Sequence, residues 1–439
     1  MNSLNTFFIR TYGCQMNELD SEIMASQLEQ RGLVESENEN DADLIIFNTC
    51  SIRDLAERKL FGKLGIISRK KKKKIIGIAG CTVMAKKEKI LDKFENVNFI
   101  IGTNNLTDLN NVLDEIEEKN IRLSKTDTKY EKKLETYFAK RKNNIKASVS
   151  ITRGCNNFCT YCVVPYTRGR EYSRSFETII DECNYLKDQG IKEIMLLGQN
   201  VDSYGTDNHK MNKYFHDLLY EIDKINGIER IRFMTSHPKD ITTDLMYAIK
   251  DCKKVCNFVH FPLQAGSNRI LKKMNRGYTL EEYLEKVNKL REIIPNVSIG
   301  TDIIVGFPTE TDDEFMQTYK AFEQIDFDLA FIFEYSPRKN TAAYKLYKDD
   351  ISIEVKDQRM KKLMNFYNCN IKDKLKKFIG TTQEVLVENL NKDKNFLKGR
   401  NKRYEKVIFK GNKSLIGTIQ NVNIKETKHQ TLIGEISFS

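Results

Sequence analysis

Three cysteines, Cys155, Cys159 and Cys162, fall within eight positions of the stretch RGCNNFCTYCVVPYTRGRE, residues 153–171. Four thiolates so spaced would close an iron–sulfur or structural zinc site, and two would make a redox pair. Three can hold three irons of a cubane cluster and leave the fourth iron open to another ligand. A structural zinc site would need a fourth donor close by, and none of the five His is adjacent. A thioredoxin-like use of Cys159 and Cys162 stands as a further alternative.

A second trio is more widely spread. Cys14, Cys50 and Cys81 lie 36 and 31 residues apart, close to the span of one βαβ unit. Each closes a strand-like run (TFFIRTY before Gly13-Cys14, LIIFNT before Cys50, IIGIAG before Cys81), and each is followed by a helical pattern. Alternation of this kind predicts a parallel sheet with a cysteine just beyond the carboxyl end of three strands. Open α/β sheets gather ligands at that edge, so three cysteines at equivalent positions predict a shared site. Cys183, Cys252, Cys256 and Cys369 lie in or beside ordinary helix and strand patterns and read as filler, free Cys being often buried.

The elements that must position these residues are legible in outline. From residue 147, six strand-like runs (ASVSITR, EIMLLG, RIRFMTS, NFVHFPL, VSIGTDIIVGF, DLAFIFEYS) alternate with helical patterns. They predict a doubly wound sheet or a partial (βα) barrel, with function at the carboxyl ends of the strands. Cys155 follows the first of these strands. After the helical KDQRMKKLMNFYNCNIKDKLKKFIG come short strand-like runs that predict a small β-barrel. The expected units are 5–122, an α/β domain; 141–371, the βα core; and 374–438, the barrel. Residues 120–144, polar and without a core stripe, read as a linker or surface strap.

Composition bounds the rest. A chain of 439 residues with 40% hydrophobic content calls for two or three cores. No run of eighteen apolar residues and no signal-peptide pattern occurs, so a cytoplasmic protein, without membrane association and expected to be a monomer, is anticipated. Residues 372–439 hold 15 Lys/Arg and 7 Asp/Glu, most of the +11 net charge, which points to a polyanion partner and to nucleic acid before membrane. The run Arg69–Lys74 reads first as a solvated helix end.

C-x-x-x-C-x-aromatic-C, with Tyr161 as the aromatic, resembles the signature of the radical S-adenosylmethionine (SAM) superfamily. TYGCQMN, FNTCSIR, the glycine before Cys81, VPYTRGREYSR, LLGQNVDSYG, SHP, FPLQAGSN and IVGFP extend the likeness to the radical SAM methylthiotransferases over nearly the whole chain. The resemblance implies an amino-terminal methylthiotransferase domain, a radical SAM (βα)6 core and a carboxyl-terminal RNA-binding TRAM barrel. It implies two 4Fe-4S clusters, one on Cys155, Cys159 and Cys162 whose open iron takes SAM, and an auxiliary one on Cys14, Cys50 and Cys81. TYGCQMN and NTCSIR favour the members that methylthiolate C2 of N(6)-isopentenyladenosine at position 37 of tRNA, beside the anticodon. Sister enzymes act on threonylcarbamoyladenosine or on a ribosomal protein, and a cluster-bearing RNA-binding protein without catalysis is the reading from another class.

Further residues follow from the resemblance. Tyr161 would lie near the SAM adenine, and the Gly198-Gln199 turn, Gln264 and Ser267 would contact the cofactor, with turn chemistry as the alternative. Arg168, Arg170 and Arg174 would bind SAM carboxylate or RNA phosphate, with surface salt bridging as theirs. The partners implied are the tRNA anticodon stem-loop, an external electron donor and a sulfur source. Where the family pattern reads GFPGE this chain has GFPTE. Threonine tolerates positive φ poorly, so the turn before Glu310 is expected to differ.

Overall fold

The β-branched runs at the amino terminus form a six-stranded parallel sheet. Its strands are β1 (Thr6–Tyr12), β2 (Val34–Glu35), β3 (Leu44–Thr49), β4 (Ile75–Gly80), β5 (Phe99–Ile101) and β6 (Leu123–Lys125), in the order β2-β1-β3-β4-β5-β6. The computed structural model describes residues 4–437 apart from 52–53, 68–73, 128–138, 140, 209 and 394. All six residues of β3 are buried, as befits a central strand covered on both faces. Strand β6 lies inside the segment read as a linker, so the sheet runs past residue 122. Its three residues, LSK, are too few and too polar to show a strand pattern. Ala139 and Arg141 are also buried, which corrects the reading of a surface strap throughout. Of the basic run, residues 69–73 lie outside the described residues. Lys74 donates from Nζ to the carbonyls of Glu39, Asn40 and Ala42 at 2.9, 2.7 and 2.6 Å.

The core is built from six parallel strands: β7 (Lys146–Ser150), β10 (Glu193–Leu197), β11 (Arg230–Phe233), β12 (Phe258–His260), β13 (Ser298–Val305) and β14 (Leu329–Glu334). A short antiparallel pair, β8 (Thr152–Arg153) with β9 (Tyr172–Ser173), flanks the cluster loop. The six strands make two three-stranded sheets, β11-β10-β7 and β12-β13-β14, joined by a bridge from Ile231 to Val255. This is the partial barrel, with β7 and β14 as its outer edges. The helix Ile353–Lys376 leads out of it.

A closed five-stranded barrel follows: β15 (Thr382–Leu390), β16 (Phe396–Arg400), β17 (Lys406–Lys410), β18 (Ile419–Lys428) and β19 (Thr431–Ile436). It docks beneath the amino ends of the core strands. Arg230, the first residue of β11 and fully buried, donates to the carbonyls of Arg400 (2.6 Å) and Glu384 (2.9 Å). Arg232 reaches the Asn401 carbonyl at 2.7 Å and Glu193, the first residue of β10, at 2.8 Å. Phe258, heading β12, stacks on Tyr404 at 4.9 Å, and Arg403 pairs with Asp328, just before β14, at 3.0 Å. Lys146, heading β7, pairs with Glu388. Among the described residues no helix is long and apolar enough to cross a membrane.

Candidate functional site

Thr49 is in register with Tyr12 on one side and Gly80 on the other, so β1, β3 and β4 end level with one another. The cysteines follow, Cys50 and Cys81 directly and Cys14 after one glycine. Cys14 precedes the helix Gln15–Gln30, Cys50 directly follows β3, and Cys81 opens the helix Cys81–Lys86. Three adjoining strands thus deliver three thiols to one sheet edge, Cys50 and Cys81 buried and Cys14 exposed. Gly80 is required at the last step: at φ 93°, a Cβ there would lie 2.4 Å from Asn48 Oδ1 and 2.5 Å from the Thr49 carbonyl. Asn48 in turn accepts from Asn17 at 3.0 Å, tying the Cys50 strand to the Cys14 helix.

Cys155, Cys159 and Cys162 share the loop after β8, at the carboxyl end of the core barrel. Burial pushes the Cys155 thiol up to about 11 and the Cys162 thiol up to about 12, and the neighbouring Cys159 adds to both. Thiols so placed give up their protons to a cation, and soft thiolate sets select iron–sulfur clusters. Among the described residues no three His, Cys, Asp or Glu side chains converge on a point that would hold a single ion. The donor chemistry of both trios fits a cluster.

Sequence reasoning missed Arg276. Buried in the turn after the helix Asn268–Lys273, it directs Nη1 to the Cys159 sulfur (3.2 Å) and to the Tyr161 hydroxyl (3.3 Å). Nη2 donates to the Pro262 carbonyl at 3.1 Å, which fixes the fork. The buried His237 places Nε2 4.0 Å from the same sulfur, and burial pushes its pKa down, so the ring is neutral. No local pattern marks Arg276, whose partners are remote in sequence, and His237 lies in the SHP motif, to which the sequence alone assigns no role.

The other anticipated residues divide. Gln199 accepts from the Gly154 amide at 2.5 Å and so props the cluster loop. Gly198 is confined by packing, since a Cβ there would lie 2.1 Å from Thr152 Oγ1. Gln264 sits at φ 72° with its Oε1 buried and without a hydrogen-bond partner among the described residues. Asn200 Oδ1 and Asp202 Oδ2, after β10, are likewise buried without a hydrogen-bond partner among the described residues. Three orphan acceptors on one rim suit a ligand rich in N–H and O–H donors, as SAM is. Ser267 instead caps the helix Asn268–Lys273 through the Ile270 amide and donates to Glu314 at 3.0 Å, which is the turn-chemistry alternative. Arg174 pairs with Glu182 at 2.7 Å and bonds the Ser150 carbonyl at 2.6 Å, deep in the fold. Arg170 lies over the Phe158 ring at 5.2 Å. Arg168 faces the amino-terminal domain, where its Nη2 meets Asp20 Oδ2 at 2.8 Å.

Thr309 keeps the turn that a glycine would make, at φ 71°. Its hydroxyl is held by Lys273 Nζ (2.8 Å) and Arg269 Nη1 (3.2 Å), and its carbonyl accepts from Arg269 at 2.6 Å. Those bonds offset the backbone strain, so the expected change of turn does not occur.

On its edge strand β14 the open barrel exposes aromatic surface. Phe331 pairs in register with Asp302 and Phe333 with Ile304, while Ala330 and Ile332 pack into the main core. The two rings therefore share the Asp302–Ile304 face, and each is 42% exposed. Ile304 belongs to the small apolar cluster that also includes Tyr161, so this face runs up to the cysteine loop.

Three family descriptions match the chain: Uncharacterized protein family UPF0004 over residues 6–102, Radical SAM superfamily over 149–322 and TRAM domain over 376–437. The fold resembles the radical SAM methyltransferase TsrM from Kitasatospora setae, with a TM-score of 0.59 at 14% identity over 78% of this chain and 77% of that one. It also resembles the cobalamin-dependent SAM radical enzyme OxsB, with a TM-score of 0.53 at 14% identity over 83% and 56%. Curated relatives are far nearer in sequence. The tRNA-2-methylthio-N(6)-dimethylallyladenosine synthase of Protochlamydia amoebophila is 56% identical over 99% of this chain and 97% of its own length. That of Clostridium botulinum (strain Loch Maree) is 46% identical over 99% and 98%. The chain belongs to the family of tRNA-2-methylthio-N(6)-dimethylallyladenosine synthases, within the radical SAM superfamily.

Proposed function

We propose that this chain methylthiolates C2 of N(6)-isopentenyladenosine at position 37 of tRNA, at the expense of SAM. Cys155, Cys159 and Cys162 hold the 4Fe-4S cluster that takes SAM, and Cys14, Cys50 and Cys81 hold a second. The observation that carries the reading is that two strand-end faces, each bearing three thiols, meet across a buried link from Arg153 and Arg168 to Asp20. One adenine can be served from both only if the two faces adjoin.

The bound clusters and SAM supply one-electron cleavage and the sulfur to be transferred, chemistry that no side-chain acid or base offers at an unactivated C2–H. The chain's residues position and shield. Arg276 donates to the Cys159 sulfur and steadies Tyr161 beside it. Gln199 holds the Gly154 amide and so the entry to the loop. Gln264, Asn200 and Asp202 offer acceptors to the SAM ammonium, ribose and adenine groups. Phe331 and Phe333 present faces on which an extruded base can stack, as single-stranded RNA is commonly read, and an apolar isopentenyl group suits them. The basic carboxyl-terminal barrel supplies phosphate contacts. Electrons and sulfur come from external donors.

The test is to incubate anaerobically reconstituted protein, SAM, sulfide and reductant with tRNA bearing either isopentenyl- or threonylcarbamoyladenosine. Mass analysis of digested nucleosides should find the methylthio group on the isopentenyl form. Its appearance only on the threonylcarbamoyl form would overturn the substrate assignment, and RNA binding without any SAM cleavage would overturn the enzyme.

A further inference from the structure

Two guanidiniums share one carboxylate in the buried interface between the amino-terminal domain and the core. Arg153 Nη2 lies 3.1 Å from Asp20 Oδ1, and Arg168 Nη2 lies 2.8 Å from Asp20 Oδ2. All three side chains are at most 4% exposed. Arg153 also donates to the Thr103 carbonyl at 3.4 Å. Arg168 Nη1, by contrast, is buried with no nitrogen or oxygen acceptor among the described residues, and the Cys81 sulfur is its neighbour. The link therefore carries a surplus positive charge and a surplus donor, both removed from water. Burying either without compensation is costly, so the interface calls for an anionic partner here.

The surroundings name the anion. Asp20 sits on the helix that begins after Cys14, and Arg168 ends the short helix Val164–Thr167, which packs against the helix opened by Cys81. The Thr103 hydroxyl donates to the Thr167 carbonyl at 3.0 Å and fixes that approach. A cubane held by three thiolates is a net anion, and reduction or an added sulfur makes it more so.

We propose that Arg168, although it lies on the SAM-cluster loop, is the positioning residue of the other cluster: its Nη1 donates to a sulfur of the cluster held by Cys14, Cys50 and Cys81. The inference rests on the assignment of those three cysteines. Its consequence is electrostatic. Hydrogen bonds and positive charge at cluster sulfurs favour the reduced, more negative state.

The experiment uses the full-length chain with Cys155, Cys159 and Cys162 replaced by Ala, so that only the auxiliary cluster is loaded. That parent should bind roughly four irons, one cubane; a parent without iron would overturn the cysteine assignment itself, and this inference with it. Redox titration followed by electron paramagnetic resonance then compares the parent with Arg168→Gln and Arg168→Lys. The midpoint potential should move to more negative values in Arg168→Gln and by less in Arg168→Lys, which keeps the charge beside Asp20. If the Gln variant does not load, the Lys variant carries the comparison. In the reciprocal Cys14, Cys50 and Cys81 to Ala chain, Arg168→Gln should leave the core cluster's potential in place. An unmoved auxiliary potential, or equal shifts in both backgrounds, would reduce Arg168 to an ordinary interface ion pair.

Discussion

Arg276 aims Nη1 at the sulfur of Cys159 from 3.2 Å, across 117 residues of chain. A buried guanidinium that donates to this sulfur orients the loop that bears it. Partners of this kind matter about 10- to 100-fold in metal affinity or activity. Arg276→Gln should therefore lower core iron content or reductive SAM cleavage by roughly tenfold or more. Iron assay and 5′-deoxyadenosine formation together check this, and wild-type values for both would detach Arg276 from the site.

The two trios should load independently. Reconstituted protein should carry about eight irons, two cubanes, and replacing Cys14, Cys50 and Cys81 together with Ala should leave about four. Reductive SAM cleavage should remain measurable in that variant. A folded triple variant without any cleavage would show that the division of labour is wrong.

On sequence alone the basic carboxyl-terminal unit looks removable, since it contains no cluster cysteine. The docking beneath the core strands says otherwise. Deletion from residue 376 would strip Arg230, fully buried, of both carbonyl partners. The deletion should therefore destabilise the core and depress SAM cleavage as well as tRNA binding. Charged hydrogen bonds contribute about 1.5–3 kcal/mol each, so Arg230→Ala alone should cost about 3 kcal/mol in a urea titration. Exposed Lys406, Lys410 and Lys425 changed to Gln should instead leave stability alone. They should flatten the slope of log affinity against log salt by about one for each phosphate no longer neutralised.

Phe331 and Phe333 bear on substrate choice. Stacking of a base on an aromatic ring is worth about 1–3 kcal/mol. Phe331→Ala or Phe333→Ala should lower kcat/KM for isopentenylated tRNA about tenfold, with iron content unchanged. A rate unaffected by both changes would move the base-binding surface elsewhere.

Asp202 makes stability depend on pH. Burial pushes its carboxyl up to about 7, the Ser236 hydroxyl bonding it at 2.9 Å. Between about pH 4, where the unfolded side chain ionises, and about 7, the native chain holds a proton that the unfolded chain has lost. Stability therefore falls as pH rises through that window. Glu171, also pushed up to about 7 by burial, adds a slope of the same sign. The urea midpoint of the apoprotein should drop from pH 5 to 7.5, and less steeply in Asp202→Asn. An identical slope in the variant would assign the effect to other groups.

Much of this was readable in the sequence because it is local. The three strand-and-cysteine units repeat at nearly the βαβ period, and the register of Thr49 with Tyr12 and Gly80 is what that spacing implies. All six core runs became strands. Contacts that join distant segments left no local mark. Asp20 and Arg168 are 148 residues apart, Arg230 and Arg400 170. Arg174 looked equivalent to Arg168, and only the fold turns one toward Glu182 and the other toward Asp20. Thr309 departs from the glycine rule because Arg269 and Lys273, 40 and 36 residues away, hold it in place.

The seat of the basic barrel under the amino ends of the core strands puts phosphate-gripping charge at one pole of the molecule and the cysteine loops at the other. The strands between them run from three to eight residues, roughly 10–26 Å at 3.3 Å per residue. A tRNA held at both poles must lie along the flank, and the height of the protein becomes a ruler. On the proposed function, position in the anticodon loop is then set by length: a nucleotide one step nearer or farther from the gripped phosphates falls short of the space between the two cysteine trios or overshoots it, whatever base it carries.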